Sequence, residues 1–223
     1  MTNNEPKIIV TRRGPYSVEG GIPLVRKEPV VSEHGEPLTW RKGEVLNTGK
    51  FYTLCGCGES GTKPFCDGSH ADSNFQHMAP ANIEPIDRSP QTYHGTGLVV
   101  EDDRSLCMHA GFCGNRATNV WQLISASSDT QIRAQIISMI ERCPSGALTY
   151  SLEPNGEDIE PDLPVEIAIT PDGALWVSGN IPIEWADGNA LETRNRVTLC
   201  RCGSSKNRPL CDGTHNEIGF SAK

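Results

Sequence analysis

Three cysteines and one histidine occur twice in this 223-residue chain at the same spacing. In the first copy, two cysteines stand on alternate residues, a third follows, and a histidine comes four positions later: Cys55, Cys57, Cys66 and His70. The second copy repeats this order with Cys200, Cys202, Cys211 and His215. Three cysteines and one histidine suit either a closed zinc site or an iron–sulfur cluster. The spacing therefore predicts two metal centres.

The residues between these ligands also repeat. Ser60 matches Ser205, Pro64 matches Pro209, and each third cysteine opens a Cys-Asp-Gly-Ser/Thr-His run. This pattern resembles the CDGSH iron–sulfur family (mitoNEET-like), which implies one [2Fe–2S] cluster per copy, held by the three cysteines and the histidine. The resemblance places a cluster-binding turn in each copy, formed by Asp67, Gly68 and Ser69 and by Asp212, Gly213 and Thr214. A zinc-bound structural module is the alternative, since zinc accepts the same ligands.

Each turn suits this role on physical grounds. Glycine accepts the backbone angles of a sharp reversal, and the prolines stiffen the loop that leads into it. We expect Asp67 and Asp212 to support the turns through hydrogen bonds, and we do not expect them to act as catalytic acids.

The three remaining cysteines predict a third centre. Cys107 and Cys113 have the frame of a bacterial ferredoxin run with Ala110 in place of the middle cysteine, and Cys143 precedes a proline as such ligands do. The stretch resembles small three-cysteine ferredoxins that carry [3Fe–4S], and also divergent single-cluster ferredoxin domains fused to CDGSH motifs. We expect [3Fe–4S]. If His109 ligates a fourth iron the cluster is [4Fe–4S]; otherwise His109 is a supporting or surface residue. Three ordinary buried cysteines are the remaining alternative.

A longer repeat indicates the elements that carry these motifs. Residues 14–24 and 173–183 share glycine, valine, isoleucine and proline at the same offsets, in short strands separated by turns. We predict an α+β fold with two β-rich units, and the resemblance implies that they form an internal pseudo-dimer with a β-cap above the cluster loops. Residues 31–50 are extra in the first copy and are predicted to be a surface excursion.

The predicted domains are residues 1–78, 92–152 and 165–223, separated by proline-rich polar linkers at 76–91 and 151–164. The middle domain is predicted to be a small ferredoxin-like α+β unit with strands at 93–100 and 147–152. Asp129 is the predicted cap of a helix that ends before Cys143 and has an apolar face formed by Ile132, Ile136, Ile137 and Ile140.

Composition limits the partners and the location. With 36% hydrophobic and 6% aromatic residues, the cores are thin, so metal centres are expected to stabilise them. A net charge of −8 argues against nucleic acid and favours a redox partner with a basic patch. No signal peptide or run of about 20 apolar residues is present, which predicts a cytoplasmic protein without membrane contact or disulfides.

Electron transfer is the predicted function, with redox proteins as partners. The alternative is cluster transfer to apo-acceptors, or sensing, because protonation of a histidine ligand would weaken cluster binding. No dinucleotide loop or catalytic triad is recognisable, so we predict no enzyme activity. The tandem copies predict a monomer with an internal pseudo-two-fold axis, although a homodimer is compatible with the sequence.

Overall fold

The computed structural model describes residues 5–77 and 90–222, which form an α+β fold of short strands with few helices. The first repeat contains β1 to β5: Lys7–Val10, Tyr16–Glu19, Leu24–Val31, Pro37–Leu46 and Phe51–Leu54. The middle region contains β6, β7, α1, α2 and β8: Gln91–Gly95, Leu98–Asp102, Val120–Leu123, Thr130–Glu141 and Leu148–Ser151. The second repeat contains β9 to β12 and α3: Glu166–Ile169, Leu175–Ser178, Ile183–Trp185, Arg196–Leu199 and Thr214–Glu217.

The two repeats exchange one strand each. One sheet has the order β11-β1-β2-β5, so β11 of the second repeat joins the sheet of the first. The other has the order β12-β10-β9-β3-β4, so β3 of the first repeat joins the sheet of the second. Both exchanged strands pair in parallel, with Ile8 opposite Ile183 and Leu24 opposite Ile167. The predicted fold class, including the internal pseudo-dimer, is confirmed.

One apolar core lies between the exchanged sheets. It combines side chains of both repeats, among them Ile8, Val18, Leu24, Ile167 and Val177, each at most 1% exposed. β1 and β2 alternate between buried and half-buried residues, as expected for strands with one covered face. β9, β10 and β12 are buried at every position, which means that both faces of these strands are covered.

Residues 31–50 are more than the surface excursion that the sequence predicted. They contain most of the β3–β4 hairpin, and β4 forms the edge of the second sheet. Although most of β4 is exposed, Trp40 lies 5.3 Å from Trp176 and 4.9 Å from Phe112, ring centre to ring centre. Its indole also donates a hydrogen bond to the carbonyl of Arg142. The hairpin therefore ties the first repeat to the middle region.

The middle region is a three-stranded sheet, β6-β7-β8, covered by α1 and α2. The prediction of one strand over 93–100 was wrong, because the chain turns at residues 96–97 and returns as β7. Gly97, with φ of +64°, permits this reversal. Most of the 76–91 linker lies outside the described residues, and the 151–164 linker is irregular.

Helix α2 follows the prediction closely. The Asp129 carboxylate accepts hydrogen bonds from the backbone of Gln131 and Ile132, which caps the first turn. Ile136 and Ile140 are fully buried, while Ile132 and Ile137 are half-buried. The helix ends at Glu141 and so places Cys143 at its carboxyl end. None of the helices in the described residues is long and apolar enough to cross a membrane.

Candidate metal centres

In both repeats the predicted ligands meet in pairs. Cys55 and Cys57 sit on the loop after β5 with their sulfurs 3.6 Å apart, and Cys200 and Cys202 sit after β12 at 3.7 Å. The third cysteine lies close to Nδ1 of the histidine in each case. These distances are 3.4 Å from Cys66 to His70 and 3.3 Å from Cys211 to His215.

The pair distances are those of two ligands on one tetrahedral metal. Metal–sulfur bonds of about 2.3 Å and metal–nitrogen bonds of about 2.0 Å place two such ligands roughly 3.5–3.8 Å apart. Within residues 5–77 and 90–222, no three Cys, His, Asp or Glu side chains gather closely enough to hold a single ion. The arrangement thus provides one ligand pair for each of two metals.

A serine holds each loop in shape. The hydroxyl of Ser60 donates to the carbonyl of Phe65 at 2.6 Å, and that of Ser205 donates to the carbonyl of Leu210 at the same distance. Both serines are at most 2% exposed. The repeated serine in the sequence is therefore a buried brace inside the loop.

An aspartate braces each turn, as the sequence predicted. Asp67 accepts hydrogen bonds from the backbone of Gly61 and Ser69 and from the Ser69 hydroxyl. Asp212 accepts from the backbone of Lys206 and Thr214. Hydrogen bonds from the Ser69 hydroxyl and from the backbone lower the pKa of Asp67 to about 2, so this carboxylate is ionised at neutral pH.

The third centre is a cavity in the middle region. Cys107, Cys113 and Cys143 all line it, and Ala110 occupies the position where a fourth cysteine would stand in a ferredoxin run. Arg104 also lines the cavity, 2.9 Å from Asp102, and its charge opposes the effect of burial, which raises the pKa of the Cys107 thiol. A cation beside three thiols favours an anionic iron–sulfur cluster.

Comparison with protein-family models agrees with these three sites. The model described as iron-binding zinc finger CDGSH type matches residues 13–71 and 172–216. The model described as divergent 4Fe-4S mono-cluster matches residues 93–153 between them. This is a tandem CDGSH iron–sulfur protein. No curated protein and no solved structure matched the chain.

The two CDGSH motifs lie back to back. A side-chain carbon at Gly58 would collide with the carbonyl of Cys202, and one at Gly203 would collide with the carbonyl of Cys57. Tyr16 of the first copy reaches across, and its hydroxyl donates to the carbonyls of Cys200, at 2.7 Å, and Pro209. Each copy thus helps to shape the other copy's ligand loop.

The ferredoxin-type domain packs against the second CDGSH turn. The imidazole of His109 lies against Gly213, where any side-chain carbon would collide with it. Met108 and Ala110 pack on Cys211, and the Asn207 side chain donates to the carbonyl of Ser105 at 3.0 Å. The structure places His109 between the middle cavity and this turn.

Burial raises the pKa of two ligand thiols, one in each motif. Burial raises the pKa of Cys57 to about 11 and that of Cys211 to about 12. All nine cysteines are free, so no disulfide competes for them. At neutral pH these two thiols are protonated, and metal binding has to displace their protons.

Sequence reasoning missed several residues that shape these sites. Arg201 is 2% exposed and donates to the carbonyls of Thr170 and Gly173 beside the second motif. The first motif has Gly56 at this position, and the imidazole of His77 lies beside it. Burial lowers the pKa of His77 to about 4, so the ring is neutral. Neither pattern nor spacing in the sequence marks these side chains.

Proposed function

We propose that the chain is an electron carrier with a [2Fe–2S] cluster at each CDGSH motif and a [3Fe–4S] cluster in the middle domain. The observation that carries this proposal is the contact between the ligand loops of all three sites. The loop of Cys57 touches that of Cys202, and the turn at Gly213 touches the backbone of Cys107. The sites form a continuous series: first motif, second motif, middle domain.

Paired ligands support two-iron clusters over zinc. A single zinc ion needs all four ligands around one point, whereas a [2Fe–2S] cluster takes two ligands on each iron. The sulfur–sulfur and sulfur–nitrogen pairs of 3.3–3.7 Å fit the second arrangement.

Three converging thiols support a three-iron cluster in the middle domain. Three cysteines line the cavity, and Ala110 brings no ligand. Cδ2 and Nε2 of His109 face Gly213 of the second motif. His109 also lines the cavity, but because its imidazole packs against Gly213, we favour [3Fe–4S] over [4Fe–4S].

Electron paramagnetic resonance with iron and zinc counts on the same sample tests this proposal. Oxidised protein purified without oxygen should give the signal of one [3Fe–4S] centre with about 7 irons per chain. About 8 irons without that signal would instead indicate [4Fe–4S]. Zinc with little iron would refute the proposal.

Cluster transfer is the second candidate, because the first CDGSH turn is exposed. Asp67 and Gly68 are exposed, and Cys66 and His70 are only half-buried. Mixing the loaded protein with an apo-ferredoxin separates the two functions. Movement of iron and sulfide without reductant indicates cluster transfer, whereas reduction of a loaded acceptor ferredoxin without loss of iron indicates electron transfer.

Partners, location and oligomeric state stay predictions. The acidic sequence, with a net charge of −8, favours a partner with a basic patch. A cytoplasmic location, a monomeric state and the lack of enzyme activity are also predictions from the sequence.

A further inference from the structure

The two CDGSH motifs have the same ligands at the same spacing but differ in burial. In the second motif Cys211 is 2% exposed, His215 is 6% exposed and Gly213 is buried. In the first motif Cys66 and His70 are half-buried and Gly68 is exposed. Identical ligand sets therefore lie in different surroundings.

The middle domain causes this difference. A side-chain carbon at Gly213 would collide with His109, whereas one at Gly68 would meet no atom of the described residues within 4 Å. Met108 and Ala110 add an apolar cover over Cys211. The cover acts on the ligand turn, where the third cysteine and the histidine hold their iron.

One hydrogen bond fixes the cover to the second loop. Asn207 donates from its side chain to the carbonyl of Ser105, next to the middle cysteine run. The matching residue of the first loop is Thr62, two positions after the buried serine. Among the residues that the structure describes, its hydroxyl bonds within its own loop, to Ser60 at 3.3 Å. The hydrogen bond between Asn207 and Ser105 is thus specific to the second copy.

The segment after each motif returns over its own copy: in the first copy the backbone of His77 donates to the carbonyl of Arg12 at 2.7 Å, and in the second copy the carboxyl-terminal segment does so. The backbone of Phe220 donates to the carbonyl of His215 at 3.0 Å, and that of Ala222 donates to the Asp172 carboxylate at 2.8 Å. These contacts hold the chain after α3 against the turn between β9 and β10, which contains Asp172. Opening the second site requires breaking them or the contact with the middle domain.

We propose that the two CDGSH sites are specialised: the first exchanges its cluster with acceptors outside the chain, and the second keeps its cluster because the middle domain covers its turn. Exchange is a ligand substitution without a redox step. Acceptor thiols lose protons as they bind iron, the three released cysteine thiolates of the first site take up protons, the histidine leaves as neutral imidazole, and any remaining proton goes to water. This proposal rests on the part of the proposed function that assigns a [2Fe–2S] cluster to each motif.

Cluster release from the full chain tests the specialisation. The loaded protein is mixed with excess EDTA at neutral pH, and the CDGSH clusters are followed by visible circular dichroism while electron paramagnetic resonance follows the middle cluster. We expect two CDGSH irons to leave in a fast phase and two at least tenfold more slowly. Release of all four in one phase overturns the proposal.

Asn207→Thr gives the second loop the residue of the first and is the main variant. It should accelerate the slow phase severalfold and leave the fast phase unchanged, and His109→Ala should do the same by removing the cover itself. His94→Ala, on exposed β6 of the same domain, is the matched control and should change neither phase. An unchanged slow phase in both test variants overturns the proposal.

Assignment of the phases uses one ligand variant for each site. Cys66→Ser should abolish the fast phase and Cys211→Ser the slow one; the reverse assignment overturns the proposal. Iron and zinc counts made before mixing separate this result from the proposed function. Fewer than about four CDGSH irons per chain would refute the cluster assignment itself.

Discussion

At the scale of single residues, the two CDGSH aspartates organise the sites without binding metal in our assignment. Each carboxylate joins the turn that carries the histidine to the loop that follows the first two cysteines. For Asp212, burial would raise the pKa, but hydrogen bonds from Thr214 and Lys206 outweigh it and lower the pKa. An ionised acceptor strengthens these bonds.

Replacing these carboxylates should loosen cluster binding. Asp212→Ala removes two charge-assisted hydrogen bonds, each worth about 1.5–3 kcal/mol, and should speed cluster loss from the second site by at least about tenfold. Asp212→Asn keeps one acceptor oxygen and should fall between alanine and the wild type. The rate is read from the decay of visible absorbance in the presence of a chelator.

The exposed Asp187→Ala is the control, since in the described residues this carboxylate bonds to Asn189 and Arg12 and to no residue of the second motif. The lifetime of the second-site cluster in Asp187→Ala should equal that in the wild type. Equal lifetimes for Asp212→Ala and the wild type would contradict a supporting role for the carboxylate.

At the scale of elements, a buried arginine joins β12 to the end of α2. Arg196 is fully buried, and its guanidinium donates to the carbonyls of Ile140, Glu141, Cys143 and Leu148. Glu160 lies 2.8 Å from its Nε. A cation at the carboxyl end of a helix also interacts favourably with the helix dipole. The second CDGSH copy thereby positions a cysteine of the middle cluster.

Arg196→Met should therefore release the middle cluster first. The change leaves four carbonyls and Glu160 without their partner, which should lower the free energy of unfolding by about 3–5 kcal/mol. Denaturant unfolding measures the loss. In oxidised protein, electron paramagnetic resonance should show the [3Fe–4S] signal disappearing while the visible circular dichroism of the CDGSH clusters persists.

Arg12→Met is the matched control, because Arg12 forms an exposed ion pair with Asp187 at 3.2 Å. Such pairs contribute about 0–1 kcal/mol. A similar cost for both variants would mean that Arg196 has no special role at the end of α2.

At the scale of the whole molecule, ion pairs accompany both strand exchanges. Lys27 of β3 lies 2.7 Å from Glu166 of β9, and Lys42 of β4 lies 2.5 Å from the other oxygen of Glu166. On the opposite side, Lys7 of β1 lies 2.6 Å from Glu184 of β11. Parallel strands from different repeats are thus joined by charge as well as by the shared core.

Glu166→Gln should destabilise the pseudo-dimer in a pH-dependent way. The variant leaves Lys27, 8% exposed, without its counter-charge, at a cost of about 3–5 kcal/mol at pH 7. Burial would raise the pKa of Glu166, but hydrogen bonds from Lys27 and Lys42 outweigh it and lower the pKa. The stability from this group is therefore present above its unfolded pKa of about 4.3 and is lost as the pH falls through the lower folded value.

Denaturant unfolding of the variant and the wild type at pH 7 and at successively lower pH measures this effect, with each difference taken at one pH. Glu44→Gln, which removes an exposed carboxylate 3.7 Å from Arg26, should cost less than about 1 kcal/mol at any pH. A cost for Glu166→Gln that does not shrink in acid would contradict the assigned ion pair.

The sequence by itself determined the chemistry of the sites and the order of the domains. Ligand type, spacing and the repeated Ser, Pro, Asp and Gly positions predict the motifs, because a short metal-binding loop is encoded by neighbouring residues. The cap at Asp129 and the end of α2 before Cys143 are equally local and were predicted. The turn at Gly97 was missed, because apolar residues on both sides read as one strand.

Only the tertiary structure decided how the three sites are placed and covered. The contacts of Arg196 with Cys143, of His109 with Gly213 and of Asn207 with Ser105 join residues 53 to 104 positions apart, and no local pattern predicts them. They form because two exchanged sheets bury one core and bring the middle domain against one motif. Two motifs with the same ligands at the same spacing thereby acquire different exposure, since burial depends on what packs against a residue and is not written in the residue's own motif.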